Sequence, residues 1–218
     1  MKKAAVYISL ILILIWLTGC ELPMRLRYQF DPPQTGEVLW VDDFSTIGPW
    51  DMWSDDLSIV DYNSGGFRFF VNEPNFDFWS RLKRDYNDVI IQVDATKLGG
   101  PDNNTLGVFC RYKNRDNFYY FLISSDSYFG ILKVLDGNHS LISSDQLQHN
   151  EIIQKGDHST NHIDVECNGP NLVLSVNDTR LAVAYDSDLE WGSVGLMVGT
   201  YDEIGVDILF DNFKVIQP

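Results

Sequence analysis

Residues 107–137, GVFCRYKNRDNFYYFLISSDSYFGILKVLDG, decide the fold of this chain. Polar clusters at residues 114–117 and 124–127 divide the stretch into three segments, and Asp136 followed by Gly137 is typical of a tight hairpin turn. The density of aromatic residues in these segments favours a pleated sheet over a helix. We therefore predict three strands that form an antiparallel meander.

The period-two alternation of a strand assigns the meander residues to two faces. The inward face is predicted to carry Val108, Cys110 and Tyr112, followed on the next strand by Tyr119, Phe121 and Ile123. The opposite face is predicted to carry Phe109, Arg111, Tyr120 and Leu122. If that second face is open to solvent, it offers aromatic rings beside the hydrogen-bond donors of Arg111.

Short segments of the same kind recur from Val38 to Ile216, with turn residues between them and no helical period. About a dozen short, evenly spaced strands predict an all-β protein, a two-sheet antiparallel β-sandwich of the jelly-roll type. We place this domain at residues 38–218. Residues 20–37 contain three prolines and no period, so we expect a flexible tether there.

Residues 1–19 have the pattern of a signal peptide. Lys2 and Lys3 precede an apolar run over residues 4–17, which is shorter than the about 20 residues of a membrane-spanning helix. The sequence Leu-Thr-Gly-Cys at residues 17–20 resembles the processing site of bacterial lipoproteins, which implies that Cys20 is acylated. We therefore expect an extracytoplasmic protein, lipid-anchored to the cell membrane or an outer membrane. An uncleaved helix and an ordinary secretory signal are the alternatives.

Two further cysteines, Cys110 and Cys167, fall at inward positions of predicted strands. Outside the cytoplasm such a pair can oxidise, so we predict a disulfide between them. Two buried free thiols are the open alternative, because free cysteines are common in protein cores.

The formal net charge is −15, with 31 acidic and 16 basic residues. This balance argues against nucleic acid and anionic lipid headgroups as partners, because both would be repelled. Contact with a membrane is therefore expected through the lipid anchor only.

Three motifs carry a resemblance to a known family: DDFSTIGPW at residues 42–50, RYKNRDNFYYFLISSD at 111–126 and FDNFKV at 210–215. Together they resemble the concanavalin A-like lectin/glucanase domains, and more narrowly the laminin-G-like jelly rolls of bacterial lipoproteins. The resemblance implies the fold. It implies no single function, because that superfamily contains lectins, carbohydrate-binding modules, glycoside hydrolases and adhesion domains.

Glucanases of that superfamily carry an E-x-D-x-x-E or E-x-D-x-E motif, and this sequence has neither. The nearest match places Asp164 and Glu166 on one outward strand face, about 6.5–7 Å apart along the strand, which is a carboxylate separation usable for glycoside hydrolysis. A solvated strand face explains the same pattern. A glycoside hydrolase is therefore only the second alternative, and we favour a non-catalytic protein.

The resemblance also implies one structural Ca²⁺ where the first and last strands meet, held by an aspartate near each end of the domain and by backbone carbonyls. The motifs place these aspartates at Asp43 and Asp211, with Asp42 as a substitute. Capping of a strand end explains the presence of Asp211 equally well. No other cofactor is expected.

Carbohydrate binding on the open sheet face is the favoured function. Sugars stack their C–H faces on aromatic rings while their hydroxyls take hydrogen bonds. We predict that Arg111, Tyr120, Trp79 and Tyr128 contact the ligand. The first alternative is a structural or adhesion module that binds an extracellular protein through a wider apolar patch.

Overall fold

The computed structural model describes residues 33–63 and 65–218. Within these residues the regular elements are all β-strands, and they form two antiparallel sheets. The predicted β-sandwich is therefore confirmed. The predicted signal peptide, Cys20 and most of the predicted tether lie outside the described residues. In the described part of the chain, we find no helix of the length and apolarity that a membrane span requires.

Sheet 1 contains, in spatial order, β14 (Thr179–Tyr185), β13 (Asn171–Val176), β12 (Thr160–Asn168), β6 (Val89–Gly99), β16 (Val206–Ile216), β4 (Gly66–Val71), β3 (Ser58–Asn63) and β2 (Trp53–Ser54), and β1 (Val38–Asp42) pairs with β16. Sheet 2 contains β10 (Asn138–Leu141), β9 (Tyr128–Leu135), β8 (Asn117–Ile123), β7 (Asn104–Asn114), β15 (Gly192–Thr200) and β5 (Asp77–Tyr86), and β11 (Gln148–His149) pairs with β9. The two ends of the described domain meet, because the backbone amide of Gly36 donates a hydrogen bond to the carbonyl oxygen of Gln217. The last residues of the predicted tether thus belong to the folded domain.

The predicted meander is β7, β8 and β9, which are neighbours in sheet 2. Asp136 and Gly137 form the hairpin turn from β9 to β10, both with positive φ (50° and 76°). That backbone conformation is the one required of a two-residue hairpin turn that matches the strand twist.

The main core lies between the two sheets. As predicted, Tyr119, Phe121 and Ile123 of β8 point into it, and each is at most 1% exposed. The predicted disulfide is present between Cys110 of β7 and Cys167 of β12. It therefore joins one sheet to the other through the core.

A bulge at Arg111 reverses the alternation of β7. The pairing of β7 with β8 shifts register between Cys110 and Asn114, and Arg111 has a φ of 53°. Such a bulge adds one residue to a strand and turns the following side chains to the opposite face. Tyr112, predicted to point inward, therefore packs on the outer face of sheet 2 beside Phe109 and Phe118.

The prediction that Arg111 faces solvent is wrong, because the same bulge buries it to 2% exposure. Its guanidinium donates hydrogen bonds to the carbonyl oxygens of Leu189 (2.8 Å) and Asn87 (3.3 Å) and to the carboxylate of Asp88 (3.0 Å). Arg111 thus ties the β5–β6 turn to the segment that precedes β15. Its contacts are those of a structural residue.

We expect Arg111→Ala to lower the free energy of unfolding by about 2–4 kcal/mol, because it leaves buried carbonyl groups and a carboxylate without their donor. Urea denaturation measures this loss, and Arg180→Ala, at an exposed position of β14, is the control with little expected effect. A variant of unchanged stability that has lost ligand binding would instead make Arg111 a ligand contact.

Candidate functional site

The outer face of sheet 2, which points away from sheet 1, carries the candidate site. Alternation along β5 places Asp77, Trp79 and Arg81 on this face. Trp79 is paired with Met197 of β15, and one strand further Gly107 of β7 lies opposite Met197. Because directly paired residues share a face, this row extends the site across the sheet.

An apolar cluster covers part of this face. It consists of Phe109, Tyr112, Phe118, Tyr120, Leu122, Val134 and Met197. Gly195 makes this packing possible, because a Cβ atom there would lie 2.2 Å from the ring of Phe109. Sheet 2 therefore buries apolar side chains on both of its faces.

Cavity 1, of about 640 Å³, lies at the β5 edge of this face, where β2 and β3 of sheet 1 contribute Trp53 and Val60 to its lining. The segment that leads into β2 forms one wall: the backbone amide of Asp51 donates to the carbonyl of Arg81, and Trp50 bridges to Leu82. The cavity is lined by Asp51, Met52, Trp53, Asp55, Val60, Glu73, Phe76, Asp77, Phe78, Trp79, Arg81, Tyr112, Lys113 and Asn114. Trp53 and Trp79 remain 53% and 38% exposed, so aromatic faces are available to a ligand.

The charges of cavity 1 are only partly balanced. Asp51 forms ion pairs with Arg81 (2.7 Å) and Lys83 (3.0 Å). Burial would raise the pKa of the Asp51 carboxyl, but the hydrogen bonds from these two bases outweigh it and lower the pKa. Across residues 33–63 and 65–218, no ion pair joins a basic side chain to Glu73 or Asp77. The cavity therefore keeps an excess of negative charge.

Asp77 lines cavity 1 and also cavity 2, of about 340 Å³, which lies further across the sheet. Gly199 of β15 leaves the space for this carboxylate, since a Cβ atom there would lie 1.8 Å from its Oδ1 atom. Desolvation raises the pKa of the Asp77 carboxyl, although His139 and the hydroxyl of Thr105 act in the opposite direction. The surroundings of Asp77 therefore destabilise the ionised form of its carboxyl group.

Cavities 2 and 3 continue the site. Cavity 2 is lined by Asn75, Asp77, Thr105, Tyr120, Leu122, Leu132, Leu141, Leu147, Met197, Thr200 and Tyr201. Cavity 3, of about 410 Å³, is lined by Asn103, Asn104, Leu122, Ser124, Asp126, Tyr128, Gln146, Leu147 and Tyr201. Cavities 2 and 3 thus have Leu122, Leu147 and Tyr201 in common.

The predicted ligand contacts are distributed over these cavities. Trp79 lies in cavity 1, Tyr120 in cavity 2 and Tyr128 in cavity 3. Tyr120 points outward as predicted, but the neighbouring apolar cluster leaves it only 9% exposed, so it is a cavity wall rather than an open platform. Tyr128 is exposed and makes an edge contact with His149. Arg111 lies in none of the three.

Asp164 and Glu166 lie on the outer face of sheet 1, outside cavities 1 to 3. Asp164 accepts a hydrogen bond from Gln92 (2.8 Å), and Glu166 accepts one from Asn168 (3.1 Å). The two carboxylates are thus held by local amides on a strand surface, outside the three cavities described above.

The two predicted calcium ligands lie near the junction of β1 and β16, where the first and last strands pair. The carboxylate of Asp43 accepts hydrogen bonds from the backbone amide and hydroxyl of Ser45, and Asp211 accepts one from the amide of Asn212. Among the described residues, no group of three or more His, Cys, Asp or Glu side chains could hold a metal ion. Side chains alone therefore do not form the site, and calcium binding stays a prediction.

Asp77, Phe76 and Arg81 are site residues that the sequence reasoning missed. The sequence contained a signal for Asp77 and Arg81, because both alternate with Trp79 along one segment. Only Trp79 from this segment was predicted as a ligand contact, so Asp77 and Arg81 were not assigned to the site. Phe76 precedes β5, and its place in cavity 1 could not be read from alternation.

No protein-family model matches this chain, and no curated protein matches it. Several solved structures are similar. The carbohydrate-binding module CBM66 from Bacillus subtilis has a TM-score of 0.60 and 17% identity over 78% of this chain and 96% of its own. A Bacillus subtilis protein of unknown function with a galectin-like fold has a TM-score of 0.61 and 10% identity, covering 84% and 97%.

The exoplasmic/lumenal domain of VIP36, in a form bound to Ca²⁺ and Man3GlcNAc, has a TM-score of 0.53 and 15% identity over 78% of this chain and 84% of its own. The GH43 protein BlXynB from Bacillus licheniformis matches 82% of this chain, but the match covers only 39% of that enzyme. At these identities the similarity establishes the fold alone. This chain has a β-sandwich fold similar to that of CBM66 and of the galectin-like Bacillus subtilis protein.

The raised pKa of Asp77 predicts a pH-dependent effect of Asp77→Asn. An acid whose pKa is raised in the folded state lowers the free energy of unfolding once it ionises. This loss of stability begins as the pH rises above 3.8, the ordinary pKa of the group, and is complete above the folded-state pKa. The variant should therefore be more stable than the wild type at neutral pH and equally stable well below pH 3.8, as measured by urea denaturation at both pH values.

Asp55→Asn is the matched control from the same cavity. Hydrogen bonds from the backbone amides of Ser58 and Leu57 lower the pKa of Asp55, so its ionised form stabilises the fold. This control should lose stability at neutral pH. An Asp77→Asn variant no more stable than the wild type at neutral pH would contradict the desolvation of Asp77.

Proposed function

We propose that this protein is a non-catalytic carbohydrate-binding protein and that it holds its ligand on the outer face of sheet 2. The observation that carries the proposal is cavity 1, where the exposed rings of Trp53 and Trp79 stand beside the carboxylates of Glu73 and Asp77. Aromatic faces accept the C–H surface of a sugar, and carboxylates accept hydrogen bonds from its hydroxyls.

The charge of the cavity favours one class of sugar. Glu73 and Asp77 would repel the carboxylate of a uronic acid. Of the two basic side chains that line the cavity, Arg81 is already paired with Asp51, and the ammonium group of Lys113 lies over the ring of Trp191. Neutral sugars, or sugars that carry an amino group, therefore fit the site better than acidic ones.

A membrane anchor is the second part of the proposal. Residues 17–20 resemble a lipoprotein processing site, and acyl chains on Cys20 would hold the chain at a membrane surface through about 0.8 kcal/mol per buried methylene. The disulfide between Cys110 and Cys167 supports an oxidising location outside the cytoplasm. In this arrangement the β-sandwich would present cavities 1 to 3 to extracytoplasmic glycans.

We expect Trp79→Ala to weaken glycan binding about tenfold or more, because tenfold corresponds to about 1.4 kcal/mol and a stacked aromatic ring contributes an amount of that order. The measurement is titration of the full-length chain, purified in detergent, against neutral glycans that bind the wild type on a glycan array. Tyr185→Ala is the control, because Tyr185 is an aromatic residue 75% exposed on β14 of sheet 1.

If the Trp79→Ala variant and the wild type bound the glycan with equal affinity, the ligand would not bind in cavity 1. Absence of binding to every glycan on the array would instead overturn the carbohydrate proposal and favour an extracellular protein as the partner.

For the anchor, expression in a bacterial host with an alkyne-labelled fatty acid should label the wild-type chain and leave Cys20→Ala unlabelled. The substitution removes the thiol that would be acylated, and with it the cysteine before which cleavage would expose the second acylation site, the new amino group. A wild-type chain that takes up no label would contradict the anchor.

A further inference from the structure

The three cavities of sheet 2 are consecutive rather than separate. Cavity 1 meets cavity 2 at Asp77, which lines both. Cavity 2 meets cavity 3 along Leu122, Leu147 and Tyr201, which again line both. Together they form one groove, which runs from the β5 edge of the sheet to the start of β9 at Tyr128.

The sheet gives the length of this groove. Its floor crosses from β5 over β15 and β7 to β8, and neighbouring strands lie about 4.8 Å apart, so these three steps span about 14 Å. Tyr128 on β9 lies one strand further. A single sugar ring in cavity 1 would leave cavities 2 and 3 empty of ligand.

Each cavity has an aromatic wall beside a carboxylate, and cavities 1 and 2 share the same carboxylate. Trp79 and Asp77 stand in cavity 1, and Tyr120 stands in cavity 2, where Asp77 is again available. Cavity 3 offers the exposed ring of Tyr128 and the carboxylate of Asp126. An aromatic wall beside a hydrogen-bond acceptor, repeated along a line, matches a ligand whose units repeat along a line.

We propose that the groove binds a polymeric glycan along its length, with successive sugars in cavities 1, 2 and 3, rather than one terminal sugar. This inference rests on the proposed function and specifies its ligand class as a linear, non-acidic oligosaccharide. Asp77, at the junction of cavities 1 and 2, accepts hydrogen bonds from the hydroxyls of the two sugars that flank it. Tyr201, at the junction of cavities 2 and 3, packs against sugars distant from Trp79.

The test measures affinity as a function of chain length. The probes are neutral glucans, mannans, xylans and fructans of one to six units, glucosamine oligomers of the same lengths and a polyuronate of six units, titrated against the full-length chain in detergent. Affinity for the best neutral series should rise at least tenfold between one unit and four units, and the polyuronate should bind more weakly than the neutral hexamers.

Two variants locate the additional sugars. Tyr201→Ala should reduce the affinity for the longest oligosaccharide about tenfold. The same variant should leave the affinity for the shortest oligosaccharide that binds unchanged. Trp79→Ala, in contrast, should reduce the affinity for oligosaccharides of every length. Tyr185→Ala should alter neither. Tyr201 is partly exposed, so its removal should preserve the fold, and circular dichroism with thermal unfolding of each variant checks this.

The outcomes separate this inference from the function on which it rests. Equal affinity for one unit and for six units, or an equal loss at all lengths in Tyr201→Ala, would overturn binding along the groove and leave carbohydrate binding in place. Preferential binding of the polyuronate would overturn the non-acidic class. No binding to any probe of any length would overturn both proposals.

Discussion

Sheet 2 carries apolar side chains on both faces, and sheet 1 covers only one of them. The inner face contributes Tyr119 and Phe121 to the core between the sheets, while the outer face carries Phe109, Tyr120 and Met197. A sheet with two apolar faces needs cover on both sides. Here the outer cover comes from the segment before β2, from the β4–β5 connection and from residues 141–147, and the groove is the space that these segments leave uncovered.

The polar groups of the groove are explained by the same arrangement. Asp77 projects from β5 over a glycine of β15 and remains exposed, and no ion pair in the described residues joins its carboxylate to a basic side chain. Trp53 and Trp79 keep large apolar surfaces in contact with water. Both features cost stability, which is a common property of binding sites whose partner supplies the missing contacts.

Alternation predicted much of this fold from the sequence. It assigned Tyr119 and Phe121 inward and Tyr120 outward, and it placed Cys110 and Cys167 where a disulfide between the sheets forms. These assignments depend only on local geometry, because successive residues of a regular strand point to opposite sides.

The errors come from local and non-local features that alternation does not contain. One bulge at Arg111 exchanged the expected positions of Arg111 and Tyr112, and no residue type at that position announces it. Trp50, the last residue of the DDFSTIGPW motif, is buried against Phe213 near the other end of the chain, a contact that alternation does not show. The groove itself requires β5 to lie beside β15, a long-range pairing that a single sequence does not specify.

The central claim is that the outer face of sheet 2 is the ligand-binding surface. Hydrogen-exchange mass spectrometry of the full-length chain, with and without the neutral glycan that binds most tightly, tests it directly. We expect slower exchange in β5, in β8 and in residues 141–147, with exchange in β12, β13 and β14 of sheet 1 unchanged. Protection confined to β12 and its neighbours in sheet 1, around Asp164 and Glu166, would contradict it.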